Sequence, residues 1–154
     1  MLEFIKIIFH LQQFYEAFLS WFDKPKKKKP VKRKFGPPKT PETYRQLLDL
    51  HNDYRASHGL PRIEVNTKFS VAAIVHAEHL SSVNHITHKD FDKRVKIGVV
   101  AETVIHVVND DTQEVFDKVI SNKNRLKVVL SKDITCVGIG CADGYWVILY
   151  GNVI

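Results

Sequence analysis

The sequence predicts an α+β fold, a three-layer α-β-α sandwich with a small, mostly antiparallel sheet, preceded by an N-terminal amphipathic helix. Three observations point there. Apolar residues recur at helical spacing in two stretches between residues 40 and 83. An Asp143-Gly144 pair separates two extended apolar runs near the end of the chain. Both faces of those runs are apolar, and a sheet of that kind needs cover on both sides.

Composition bounds the rest. With 154 residues, 44% of them apolar and 26% charged, the chain suits one globular domain and not a disordered one. The formal charge of +6 is unevenly placed: residues 1–39 hold ten Lys/Arg against Glu3, Glu16 and Asp23, so the basic surplus lies outside the domain. The two cysteines, Cys136 and Cys141, fall in one predicted strand, where five extended residues separate them by roughly 16 Å, too far for a disulfide. The domain is therefore expected to hold by packing alone.

Residues 1–23 place Phe4, Ile8, Leu11, Tyr15, Phe18, Leu19 and Phe22 on one helical face, opposite Lys6, His10, Gln13, Glu16, Ser20 and Asp23. Lys6 and Glu16 make bilayer spanning costly, and no small-residue cleavage site marks a signal peptide. Residues 24–39 form a proline-punctuated basic run whose prolines forbid a continuing helix, so an extended linker is expected. Burial of Phe4, Ile8, Leu11, Phe18 and Phe22 would combine with attraction of Lys26, Lys27, Lys28, Lys29, Lys32, Arg33 and Lys34 to an anionic leaflet. Membrane association, on a side that the sequence leaves open, is thus the expected setting. Secretion, membership of a larger assembly, packing of the helix on a partner, and nucleic-acid or nuclear-localisation use of the same basic run are the alternatives.

The domain is expected to occupy residues 40–154. Thr40 ahead of Pro41 is a helix start and Gly59 a stop, with Tyr44, Leu47, Leu48, His51 and Tyr54 as the stripe between them. A second helix is predicted from Asn66 or Thr67 to Val83, with Phe69, Ala72, Ala73, Leu80 and Val83 on its apolar face and His76 in line with them. An irregular stretch leads to a strand over "VVAETVIHVV". In "DDTQEVFDKVI", Asp111 and Glu114 have capping-box spacing ahead of a helix. The Asp143-Gly144 turn then joins two strands of a hairpin.

Chemistry concentrates in the histidines. "NHITHKD" holds His85 and His88, with His76 and His79 just before them. In its apolar stripe His76 is expected to be a buried, hydrogen-bonded histidine, and His79 to lie towards the polar flank. Neither a strained Gly-x-Ser-x-Gly turn, nor a phosphate-cradling glycine loop, nor a dinucleotide fingerprint is present.

"HNDYRASHGLPRI", "AAIVHAEHL", "THKD", "AET" and "VGIGCADGYWVILYG", taken in that order across Leu47 to Gly151, resemble the CAP superfamily of SCP-like domains, in its cysteine-poor bacterial branch. The resemblance implies an α-β-α sandwich and a cleft lined by two histidines and two acids, which in some members hold a divalent metal. On that basis His88 stands for the first histidine and Glu102 for one acid, with Glu114 the nearest choice for the second. Asn124 stands where the second family histidine is expected, and Val119 where a tryptophan is usual.

His88 and Glu102 could act as acid/base groups or bind zinc with a third ligand from His85, Glu114 or Asp90. The alternative is a hydrogen-bonded His-carboxylate pair that ties a loop to the sheet. The leading expectation is a non-catalytic binding or recognition module with an unidentified ligand in its cleft and no required cofactor, tethered through residues 1–39. The alternative is a metal-assisted hydrolase, such as a peptidase, using His88 and Glu102.

Overall fold

The computed structural model describes residues 41–109 and 111–152. The expected N-terminal helix (1–23) and basic linker (24–39) lie outside the described residues, as does the expected cap Thr40. The described elements run α1 (Pro41–Ser57), β1 (Glu64–Val65), α2 (Thr67–Val83), α3 (Phe91–Val95), β2 (Val99–His106), α4 (Thr112–Ile120), α5 (Lys123–Val129), β3 (Cys136–Ala142) and β4 (Tyr145–Gly151).

The sheet has the order β1-β3-β4-β2, parallel only where β1 meets β3. Its centre is the predicted hairpin. Asp143 (φ 46°) and Gly144 (φ 80°) both adopt the left-handed region that a two-residue turn of this kind requires, which sets Ala142 opposite Tyr145. Alternation then sorts the side chains. Val137, Ile139, Cys141, Trp146, Ile148 and Tyr150 join one core cluster with Leu47 of α1, Phe116 of α4 and Val129 of α5. Cys136, Ala142, Tyr145, Val147 and Leu149 join the other with Phe69, Ala73, Ala77 and Leu80 of α2. The three-layer sandwich follows from this two-sided sheet, and both cysteines are free and buried in it.

Glycine sets the spacing of the α2 layer. A Cβ on Gly138 would lie 2.2 Å from the backbone of Phe69, and one on Gly140 would lie 2.4 Å from that of Ala73. The helix backbone therefore rests almost directly on β3, which Ala73 and Ala77 also permit. Asn66 caps α2 by accepting the Phe69 N–H, at 3.1 Å.

On the other face, α1 is fixed by buried polar groups. Arg55 is fully buried, and its guanidinium donates to the carbonyls of Pro61, Val129 and Ser131 at 2.9, 2.7 and 2.8 Å. Asn52 exchanges hydrogen bonds with the backbone of Ile63. Inside α1, His51 donates from Nδ1 to the Leu47 carbonyl (2.8 Å) and accepts the Tyr150 hydroxyl at Nε2 (2.9 Å). Burial lowers the His51 pKa to about 4 and raises that of Tyr150.

Several expectations change in detail. Val83, placed with the apolar face of α2, is 46% exposed, because the last turn of that helix has already reached the hairpin turn, where Ser81 donates to Asp143 and Tyr145 donates to Asn84. Asp111 caps α4 by accepting the Gln113 N–H (2.8 Å), while Glu114 reaches forward to Lys118 (3.5 Å) instead of back to its cap. The helices α3 and α5 and the short strand β1 carry too few residues to show a period in the sequence. As an edge strand β2 has outward carbonyls, and Arg125 and Lys118 donate to those of Val104 and His106, both at 3.3 Å.

Candidate functional site

Glu102 sits midway along β2, on the face turned towards α2 that Val104 shares two residues on. Its side chain is 1% exposed. A lone carboxylate would be expensive to bury there, and the structure supplies its counter-charge from α3. Arg94 donates from Nε to one carboxylate oxygen and from Nη2 to the other (2.9 Å), a two-pronged pair. His88 adds a third bond from Nδ1 to Oε1, at 2.7 Å.

The surrounding contacts explain why these groups meet. Arg94 also donates from Nη1 to the carbonyl of Lys89 (3.0 Å) and lies 5.9 Å from the centre of the Phe91 ring, so the loop and α3 fold around one guanidinium. His76, buried in α2, donates from Nε2 to the carbonyl of Thr87 (2.8 Å) and stands 3.7 Å from Oε1 of Glu102. Burial lowers its pKa and the Arg94 charge lowers it further, so the ring stays neutral and acts as a clasp on the loop, not as an ion-pair partner. The 84–90 loop is thus held at Thr87, His88 and Lys89, by α2, β2 and α3 respectively.

The structure brings His88 to Glu102, as the sequence suggested, and leaves the other named residues elsewhere. His85 is exposed and its backbone N–H bonds to the Leu80 carbonyl. Glu114 pairs with Lys118, and Asp90 pairs with Lys93 at 3.0 Å. Asn124 is exposed at the start of α5, where its N–H donates to Asn122 Oδ1, and Val119 is buried in the core. His76 has the buried, partnered position expected of it, and His79 stacks beside it at 6.2 Å.

A divalent metal therefore fits these residues poorly. Among the described residues no three His, Cys, Asp or Glu side chains gather in a metal-binding group. Both oxygens of Glu102 already receive Arg94, and a cation placed on them would meet that guanidinium. What the arrangement can do is orient His88. Its Nδ1 is fixed on a buried carboxylate while the side chain stays 60% exposed, which leaves Nε2 as the nitrogen available to a hydrogen-bonding ligand.

Arg94 is the residue that the sequence reading missed. It lies in "HKDFDKRVK" among Lys89, Lys93 and Lys96, a run whose plain reading is a solvated basic surface. The available signal was Phe91 three residues before Arg94, which puts both on one face of a short helix.

Comparison with known proteins follows the same outline. No curated protein matches the chain. Among solved structures, an extracellular SCP-domain protein from Bacillus anthracis is similar at 20% identity, with a TM-score of 0.65 over 77% of this chain and 45% of that one. A cysteine-rich secretory protein from Staphylococcus aureus is similar at 14% identity and TM-score 0.65, over 73% of this chain and 39% of that one. An outer surface protein from Borrelia burgdorferi is similar at 17% identity and TM-score 0.64, over 75% of this chain and 96% of that one. The chain thus spans less than half the length of the first two, and these likenesses speak to the fold. Residues 48–150 match the Cysteine-rich secretory protein family (CAP), and over that span the chain belongs to it.

Proposed function

We propose that this CAP domain is a non-catalytic recognition module, held at a membrane surface by residues 1–39, that binds its ligand beside His88. The observation that carries the reading is the engagement of Glu102 by Arg94. A carboxylate serving as a general base or metal ligand needs an oxygen available to the reacting group, and here both are bonded to a guanidinium. With the sandwich holding both charges, the pair anchors a loop that presents an exposed imidazole. The tether rests on the sequence of the first 39 residues, an apolar helical face followed by eight Lys/Arg between Lys24 and Lys34.

Titration calorimetry of the full chain with zinc at near-neutral pH, alongside His88→Ala, tests the module. The expected result is no stoichiometric binding to either protein and a folded His88→Ala variant. Stoichiometric zinc binding that disappears in His88→Ala, joined by peptide hydrolysis, would instead establish the metal-assisted hydrolase using His88 and Glu102. Vesicle flotation tests the tether, which is refuted if the full chain stays with the soluble fraction at all compositions.

A further inference from the structure

The hairpin turn fixes which way the main chain of β2 points. A two-residue turn makes Ala142 and Tyr145 a hydrogen-bonded pair, so Tyr145, Val147 and Leu149 of β4 bond to β3. Trp146, Ile148 and Tyr150 then bond to their partners Ile105, Thr103 and Ala101. The N–H and C=O groups of Glu102, Val104 and His106 are left pointing out from the edge of the described sheet.

Both ends of that edge are shielded. Over its later half, Arg125 and Lys118 stand on the carbonyls of Val104 and His106, each at 3.3 Å. At its start the register against β4 shifts between Val99 and Ala101, which interrupts regular pairing. Glu102 lies between the two devices and has neither. Its side chain is 1% exposed while the residue as a whole is partly exposed, so the part of Glu102 that reaches solvent is its main chain. Among the described residues nothing bonds to its outward N–H or C=O. Val100, two residues before, adds an apolar side chain that is 61% exposed.

Charge chooses the occupant of this opening. Near the edge Glu102 is answered by Arg94, Asp90 by Lys93 and Glu114 by Lys118, whereas among the described residues no ion pair holds Lys89, Lys96 or Arg125. Asp92, exposed in α3, is one acid against those three cations. A second copy fits poorly, because two β2 edges paired antiparallel about Glu102 would bring the cations over Val104 and His106 of one copy to the Lys96 end of the other. An acidic partner meets no such repulsion.

We propose that residues 100–104 of β2 form a strand-addition site for an extended acidic peptide, whose main chain pairs with Glu102 and whose carboxylates meet Arg125 and Lys118. This rests on the recognition reading above and names the class of its ligand. A peptide residue set opposite Glu102 turns its side chain to the same face of the sheet, where the exposed His88 ring is bonded to the Glu102 carboxylate. Main-chain bonds supply general affinity for an extended segment, and the cations and His88 supply selectivity.

The experiment is affinity selection by the full chain from blocked heptapeptides of random sequence at about 0.15 M salt, followed by N-methylation of the best binder one residue at a time. The selected peptides should pair Asp or Glu with β-branched residues. Methylation should weaken binding about tenfold or more at alternate residues of the pairing stretch and leave the residues between them unaffected, because only every second N–H of an added strand faces β2. A uniform response to methylation overturns strand addition, and is what capture by charge alone would give; if such binding is still lost in His88→Ala, the recognition reading survives it. No enrichment also overturns strand addition. Cleavage of the bound peptide overturns the non-catalytic reading itself. An Arg125→Gln, Lys118→Gln double variant, its unfolding midpoint checked, should bind roughly fivefold more weakly; unchanged affinity overturns the acidic partner. A concentration-dependent dimer that the peptide disperses would make a second copy the occupant instead.

Discussion

Replacing Arg94 by methionine would keep most of the side-chain stem over Phe91 and remove the charge that faces Glu102. The Glu102 side chain is 1% exposed and that of Arg94 8%, so water can do little to solvate the carboxylate left behind. Three guanidinium bonds are lost with the substitution, two to Glu102 and one to the Lys89 carbonyl. Breaking a buried pair by removing one partner costs about 3–5 kcal/mol, a large share of the roughly 5–15 kcal/mol that holds a domain folded. Urea unfolding followed by far-UV circular dichroism measures it directly. Glu102→Leu alone should also destabilise, while the Arg94→Met, Glu102→Leu double variant should recover much of the loss, because neither charge is then stranded. A cost below about 1 kcal/mol for Arg94→Met would refute the claim that this pair organises the site.

Two further outcomes follow from the packing. His51 is held neutral by burial, with its pKa lowered to about 4 against about 6.5 in an unfolded chain, so its contribution is complete above pH 6.5 and is lost as pH falls towards 4. That loss amounts to about 3 kcal/mol. His76 is lowered in the same sense, so the test is a comparison: a folded His51→Phe variant should show a clearly shallower fall in unfolding free energy from pH 7 to 4 than the parent protein, and an identical slope would remove His51 as the cause. Gly140→Ala sets a methyl 2.4 Å from the α2 backbone, which cannot move aside as a side chain can, and should cost about 3 kcal/mol in the same urea assay. Gly59→Ala meets open space and suffers only its positive φ, so it should cost about 1 kcal/mol.

What the sequence determined by itself is everything carried by local pattern. The start of α2 at Asn66 or Thr67, the Asp143-Gly144 turn, the two-sided hairpin and the buried line through His76 are each set by neighbours within a few residues, and the sheet's need for cover on both faces dictates three layers. His88 and Glu102 were legible as a pair only through the order of motifs along the chain, which fixed their positions in the family's outline but not what bonds to them. The tertiary structure alone decided the role of Arg94. In sequence it is one cation among several, and only the fold of the loop and α3 across β2 turns it inward onto Glu102, where burial makes a counter-charge necessary. The same holds for Arg55 and Gly140, whose roles depend on backbone that approaches from distant parts of the chain. Local chemistry chooses elements and turns, but a buried charge is assigned its partner only when the layers close over it.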